Sequence, residues 1–285
     1  MKKYIQTILR GMGQVMFQNN VISGLLFFIG ISYNSWILGM AAILGTAIST
    51  TTAQLLRYSQ EEIEDGIYGF NGALVGVATW FFFGVNLVSI IALIIASILS
   101  TIIMKEMKKV IPPFTAPFVL ITWILIVVLI FVFQQPVVAP PLEQSDAFDL
   151  FSSISKGFSE VWFQDNIVTG ILFFLALLVN SRLSAAYALY GSLLGALFAL
   201  ILSQPFTLIN GGIFGYNAVL CAIALGGKKL QTILWTTIAI ILSVLVNLGL
   251  ASTGIITLTS AFVISTWVVL YIQFLTKKNN RTTES

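Results

Sequence analysis

The chain has 285 residues, 58% of them hydrophobic and 9% charged, with a formal net charge of +3, one cysteine and no histidine. A soluble domain carries roughly 25% charged residues, so this composition excludes an ordinary soluble fold and, with the few basic residues spread over loops, gives no footprint for nucleic acid. Lack of histidine removes the commonest general base, metal ligand and proton shuttle together, and the lone Cys221 excludes an intrachain disulfide.

Residues 3–17 form a short mixed stretch after Lys2 and Lys3, without the small-residue cleavage pattern of a signal peptide. Five apolar segments follow, near 21–33, 36–57, 66–83, 86–104 and 114–134. A polar linker spans 135–149, with prolines and the acids Glu143, Asp146 and Asp149. The pattern then recurs as a mixed stretch at 150–163 and segments near 167–181, 184–203, 211–226, 230–250 and 255–275. Crossing about 30 Å of hydrocarbon takes roughly 20 apolar residues in a helix, and continuous runs, unlike the alternation of a barrel strand, predict helices. The expectation is an all-α polytopic membrane protein with ten transmembrane helices.

Charge orients it. With the N-terminus cytoplasmic, thirteen of the fourteen basic residues fall inside and only Lys156 falls outside, a strong positive-inside bias. The linker then lies outside, and both termini are cytoplasmic in a cell (plasma or inner) membrane. An odd five crossings per half makes the halves inverted repeats, 1–134 and 150–285, joined by the extracellular or periplasmic linker 135–149. Such repeats hold a site near the bilayer midplane at their interface. Residues 21–33 and 167–179, at about 1.5 Å per residue, are too short to span alone, which predicts a short half-membrane pore helix in each half around a central pore.

Three motif pairs mark that site. Gln14-Val15-Met16-Phe17-Gln18-Asn19-Asn20 matches Glu160-Val161-Trp162-Phe163-Gln164-Asp165-Asn166 at an offset of 146, and eight of the fifteen positions from Gln14 to Phe28 are identical in the second copy. Gln14 offers a donor and an acceptor, and an ionised Glu160 only accepts; either they face a polar solute from opposite sides of the membrane, or Gln14 sits at headgroup level and Glu160 belongs to the exposed linker. A carboxylate facing a membrane interior is costly and usually functional.

The second pair is Gly66-Ile67-Tyr68-Gly69-Phe70-Asn71 with Gly212-Ile213-Phe214-Gly215-Tyr216-Asn217, again 146 apart. Its glycines either break helices or pack them. Phe70 with Leu74, and Tyr216 with Leu220, share a helix face able to line a narrow apolar slot, while Asn71 and Asn217 read as caps on broken backbone. The third pair sets Thr115-x-x-Phe118-Val119-x-x-Thr122-Trp123 against Thr259-x-x-Phe262-Val263-x-x-Thr266-Trp267, 144 apart. Thr115 and Thr259 either bond their own helix carbonyls or turn an acceptor to the pore; Trp123 and Trp267 read as packing.

Together with Ser23-Gly24-Leu25-Leu26 and Thr169-Gly170-Ile171-Leu172, this ordered, duplicated set resembles the urea transporter family over roughly residues 10–275. The resemblance implies a homotrimer whose protomers each carry a pore for passive, selective passage of urea, with no catalytic residues, metal or cofactor. It also implies slots built by Val15, Phe17, Phe70 and Leu74 on one side and Val161, Phe163, Tyr216 and Leu220 on the other. Thr115 and Thr259 would supply central hydroxyls, and Gln14 and Glu160 the outer sites. The chain departs from the family at Asn20-Val21, where Asn-Pro is common, at Ala261 opposite Pro117, and at Tyr216 opposite Phe70.

Two other classes remain open on the residues alone. A proton-coupled carrier of a small amide would use Glu160 as its titrating group. An intramembrane enzyme would use Ser159 with Lys156, three positions apart.

Overall fold

Every regular element among residues 2–283, which the computed structural model describes (side chains through residue 277), is helical. The order is α1 (Lys2–Gln14), α2 (Val21–Asn34), α3 (Trp36–Leu55), α4 (Gln60–Glu64), α5 (Gly69–Phe83), α6 (Leu87–Met107) and α7 (Ala116–Val127, prolonged by a π-helical turn Val128–Val132). After the linker come α8 (Leu150–Ser159, with a 3-10 turn Glu160–Trp162), α9 (Ile167–Asn180), α10 (Arg182–Ile201), α11 (Phe206–Asn210), α12 (Tyr216–Leu225), α13 (Leu230–Ser252) and α14 (Ser260–Thr283).

The duplication is written into helix ends and turns. Asn20 caps α2 by accepting from the Ile22 and Ser23 amides, and Asn166 caps α9 by accepting from Thr169. Ser35 and Ser181 cap α3 and α10 in the same way. Left-handed backbone falls at matched residues: Phe17 and Phe163 (φ 60° and 59°), Arg57 and Ser203 (54° and 53°), Gly66 and Gly212 (77° and 76°), Phe114 and Leu258 (48° and 49°).

The protein is a polytopic helical membrane protein. Helices α3, α6, α10, α13 and α14 through Lys277 are long and apolar enough to cross a bilayer, and the broken pair Leu150–Trp162 and Ile167–Asn180 bends by 76°. Helices α2, α5, α7 with its turn, and α12 are apolar but shorter. Several expected crossings are thus short helices. Segments 66–83 and 211–226 lose their first residues because Gly66 and Gly212 turn the chain before α5 and α12 begin.

Contacts between the halves are reciprocal. Ser23 Oγ donates to the Ala176 carbonyl at 2.7 Å, and Thr169 Oγ1 to the Gly30 carbonyl at 2.9 Å. Asn34 Nδ2 reaches Gln164 Oε1 at 2.9 Å, and Asn180 Nδ2 reaches Gln18 Oε1 at 2.8 Å. Trp123 Nε1 donates to the Ile256 carbonyl at 2.7 Å and Trp267 Nε1 to the Pro112 carbonyl at 2.8 Å, so both indoles, expected to be packing alone, also tie one half to the other. Residue i on j and j-equivalent on i-equivalent is the signature of a two-fold relation. Phe27 likewise packs against its own counterpart Phe173, ring centroids 5.0 Å apart. Since early residues of α2 meet late residues of α9 and the reverse, the two helices run antiparallel.

Small residues make the approach possible. A Cβ on Gly24 would stand 1.7 Å from the Leu9 carbonyl oxygen, and one on Gly170 would stand 2.0 Å from that of Ser155. Neither backbone oxygen can move cheaply. Gly24→Ala and Gly170→Ala are each expected to destabilise by about 3 kcal/mol or more, at the upper end of overpacking. Thermal melting of the detergent-solubilised protein, followed by loss of the monodisperse elution peak, measures this.

The segment between α3 and α5 is fastened by charge. Lys3 pairs with Glu64 at 2.6 Å, and Glu62 takes both Lys108 Nζ and the Tyr68 hydroxyl at 2.5 Å. Burial pushes the Glu62 carboxyl up, but the hydrogen bonds from Lys108 and Tyr68 and the charges of Lys108 and Lys105 outweigh it and hold the carboxyl below its ordinary range. A depressed carboxylate stabilises the fold above its unfolded pKa, and the contribution fades as pH falls through the lower folded value. Glu62→Gln is therefore expected to melt a few degrees below the parent at pH 7, with the gap closing below about pH 4.

Candidate functional site

Each copy of the first motif breaks a helix and then locks the break. After α1, the Gln18 side chain donates back to the Met16 carbonyl at 2.7 Å; after α8, Gln164 donates to the Trp162 carbonyl at 2.8 Å. The same two amides receive Asn180 and Asn34 from the other half. The glutamine and second asparagine of the motif are thereby occupied in holding the turn. Inside each closed turn, Phe17 between Met16 and Gln18, and Phe163 between Trp162 and Gln164, are held in left-handed backbone, a conformation that bulky residues rarely keep unless their surroundings over-determine it.

Both rings enter aromatic clusters. Phe17 meets Phe114 and Phe262 edge-on at centroid distances of 6.1 Å, and those two stand 5.3 Å apart. Phe163 meets Phe81 at 5.2 Å, Phe82 at 5.8 Å and Phe118 at 6.3 Å. Phe118 and Phe262 are equivalents, each lying one helical turn into α7 or α14. At the start of those helices Thr115 and Thr259 are both 2% exposed, and their hydroxyl oxygens lie 2.6 Å apart. The threonines therefore bond each other across the two-fold relation instead of bonding their own helix carbonyls.

A cavity of about 780 Å³ opens on one side of this arrangement. Five of the residues expected at the site line it: Glu160, Val161, Phe163, Tyr216 and Thr259. Phe81 and Trp80 add aromatic wall, and Asp165 adds a second carboxylate. On the other side, Gln14 Nε2 donates to the Asp65 carbonyl at 2.9 Å, and Arg10 donates to the Glu64 carbonyl at 3.1 Å. Val15, Leu74 and Leu220 are fully buried in the core and Phe70 nearly so; none of them, nor Phe17 or Thr115, lines the cavity.

Lys156, expected on the outer side, is 8% exposed and paired with Asp165 at 2.6 Å. Burial of α8 against the bend toward α9 draws it inward. Its ammonium is thus committed to a carboxylate, while Ser159 Oγ donates to the Lys156 carbonyl at 3.3 Å. That is not the geometry of a serine activated by a lysine amine.

Sequence alone does not single out Phe81, Phe82 and Phe114 as neighbours of the paired rings. Phe81 and Phe82 have no aromatic counterparts, since the offset of 146 lands on Gly227 and Lys228. Phe118 and Phe262 were visible within the third motif, and Phe114 adjoins Thr115.

A family model described as "Urea transporter" matches residues 5–274. The chain is 30% identical over 256 residues to Urea transporter 1 of Rattus norvegicus, covering 82% of this chain and 66% of that protein. It is 31% identical, with the same coverages, to Urea transporter 1 of Ovis aries. The chain thus spans just under two thirds of the length of these curated relatives.

Proposed function

Because the chain belongs to the urea transporter family, we propose that it passes urea, and small amides shaped like it, down a concentration gradient through a pore between its two halves. The observation that carries this reading is the mirrored pair of rings, Phe17 and Phe163, set in strained turns on either side of the Thr115–Thr259 hydroxyl pair. Urea is flat and uncharged, with four N–H donors and one carbonyl. Rings accept its faces, and stripping its water costs several kcal/mol unless those donors find oxygens. Threonine hydroxyls, with Glu160 at one mouth and Gln14 at the other, supply oxygens, and weak binding at successive points permits flux.

In this reading Val15, Phe17, Phe70 and Leu74 frame one slot, and Val161, Phe163, Tyr216 and Leu220 the other. Phe114, Phe118, Phe262, Phe81 and Phe82 reinforce them. Residues 1–134 and 150–285 are inverted repeats of five crossings each. The antiparallel pairing of α2 with α9 supports this, and so does the charge bias that puts both termini in the cytoplasm of a cell-membrane protein. Linker 135–149 lies on the outer face, and the protomers form a homotrimer.

A proton-coupled carrier is the second reading, favoured by Glu160 and Asp165 facing one cavity with Lys156 of α8 paired to Asp165. Stopped-flow shrinkage and reswelling of proteoliposomes in a urea gradient, with and without a pH gradient, separates the two. Urea flux that saturates and ignores the proton gradient is expected. Flux that vanishes without a proton gradient selects the carrier, and no urea flux under either condition overturns both.

A further inference from the structure

The asparagines of the second motif are not absorbed by the pore described above, yet each reaches the helix that carries a central threonine. Asn71, 1% exposed on α5, donates from Nδ2 to the Phe114 carbonyl at 3.3 Å and accepts at Oδ1 from the Phe118 amide at 3.0 Å. Asn217, 1% exposed on α12, repeats the pattern with the Leu258 carbonyl at 3.3 Å and the Phe262 amide at 3.0 Å. Both carbonyls belong to left-handed residues, Phe114 and Leu258, and the next residue in each case is the central threonine. Both amides belong to phenylalanines of the ring clusters. One carboxamide therefore clamps the strained entry to the helix and its first turn, with the threonine between the two points it holds.

The clamps are unequal. Tyr216 adds its hydroxyl to the same Leu258 carbonyl at 2.7 Å. Its counterpart Phe70 has no hydroxyl, so the Phe114 carbonyl is held by Asn71 without such a second donor.

Resting on the urea-pore reading, we infer that Asn71 and Asn217 are positioning residues that aim the Thr115 and Thr259 hydroxyls and the Phe118 and Phe262 rings at the permeating solute, with the Asn71 clamp the more critical because Tyr216 doubles the other. A cap that served folding alone would affect stability, and urea and water flux in proportion. A clamp that sets the oxygen-to-ring geometry changes selectivity.

The test measures urea and water permeability in proteoliposomes for Asn71→Leu, Asn217→Leu, Asn217→Leu with Tyr216→Phe, and Asn71→Asp, beside melting temperatures and elution profiles. Buried away from water, the aspartic acid stays neutral and can still donate and accept. Asn71→Leu is expected to lower the urea-to-water ratio about tenfold and Asn217→Leu about threefold. Tyr216→Phe added to Asn217→Leu should bring the loss to the Asn71→Leu level, and Asn71→Asp should restore most of the ratio. Folded leucine variants with an unchanged ratio overturn the inference, as do equal effects at the two asparagines. Should Asn71→Leu fail to fold, Asn217→Leu with and without Tyr216→Phe still decides it. A parent protein that conducts no urea would instead overturn the pore reading itself.

Discussion

Valine at both Thr115 and Thr259 is expected to cut urea permeability roughly 30-fold while changing water permeability by less than about threefold. The two hydroxyls touch at 2.6 Å in a buried position, where the two halves meet. Only one proton is needed between them, which leaves oxygen lone pairs for a solute's N–H groups. Valine keeps the shape and removes the oxygens. Urea at that point then leaves donors unpaired in a dry setting, a loss of about 1–3 kcal/mol per unsatisfied group. About 2 kcal/mol added to the barrier corresponds to the stated factor. Water, smaller and able to keep neighbours in single file, loses less. Either single valine variant should fall in between, since one hydroxyl remains. The measurement is the stopped-flow rate of osmotic shrinkage under a urea gradient against that under an impermeant solute. A double variant with parental urea flux, or with both fluxes lost equally in a correctly folded protein, would remove these oxygens from the pathway.

Much of this arrangement is legible in the chain because it is written twice. The repeat offsets, 146 for the first two pairs and 144 for the third, pair Phe17 with Phe163, Asn71 with Asn217 and Thr115 with Thr259, and the structure returns the same pairing in backbone angles and hydrogen bonds. The short apolar runs after Asn20 and Asn166 announce helices α2 and α9, since capping asparagines and length are local properties. What the sequence hides is whatever depends on where a broken chain points. Lys156 reads as a surface lysine until the bend at α8 brings it against Asp165. That Gln14 also donates to the Asp65 carbonyl depends on the turn before α5, which the motif does not show. Helix spacing puts Leu74 with Phe70 and Leu220 with Tyr216 on one face, but that these positions are buried in the core follows only from the packing of α5 and α12. Phe81 and Phe82 belong to one half only, so no duplication marks them.

Glu160→Gln tests the feature on which the two mouths differ most. Its counterpart Gln14 is tied to backbone, whereas Glu160 lines the open cavity and, among the described residues, has no side-chain hydrogen-bond partner, beside an Asp165 that Lys156 already holds. The Glu160 carboxyl offers acceptor oxygen to urea's amides, a hydrogen bond worth roughly 0.5–1.5 kcal/mol net. Glutamine keeps size and one acceptor oxygen but presents an NH₂ where urea also presents NH₂, so part of the contact turns repulsive. Urea permeability is expected to fall about tenfold, with water permeability nearly unchanged, because water can donate or accept to either side chain. The two transport readings part here. In a passive pore the residual urea flux of the Gln variant stays independent of a proton gradient. In a proton-coupled carrier the same substitution removes the titrating group, so coupling and net uptake disappear together while exchange of labelled urea across the membrane survives. Counterflow of labelled urea, measured beside net flux in the same proteoliposomes at two pH gradients, gives opposite results for the two mechanisms. A Gln variant with parental urea flux would take Glu160 out of both.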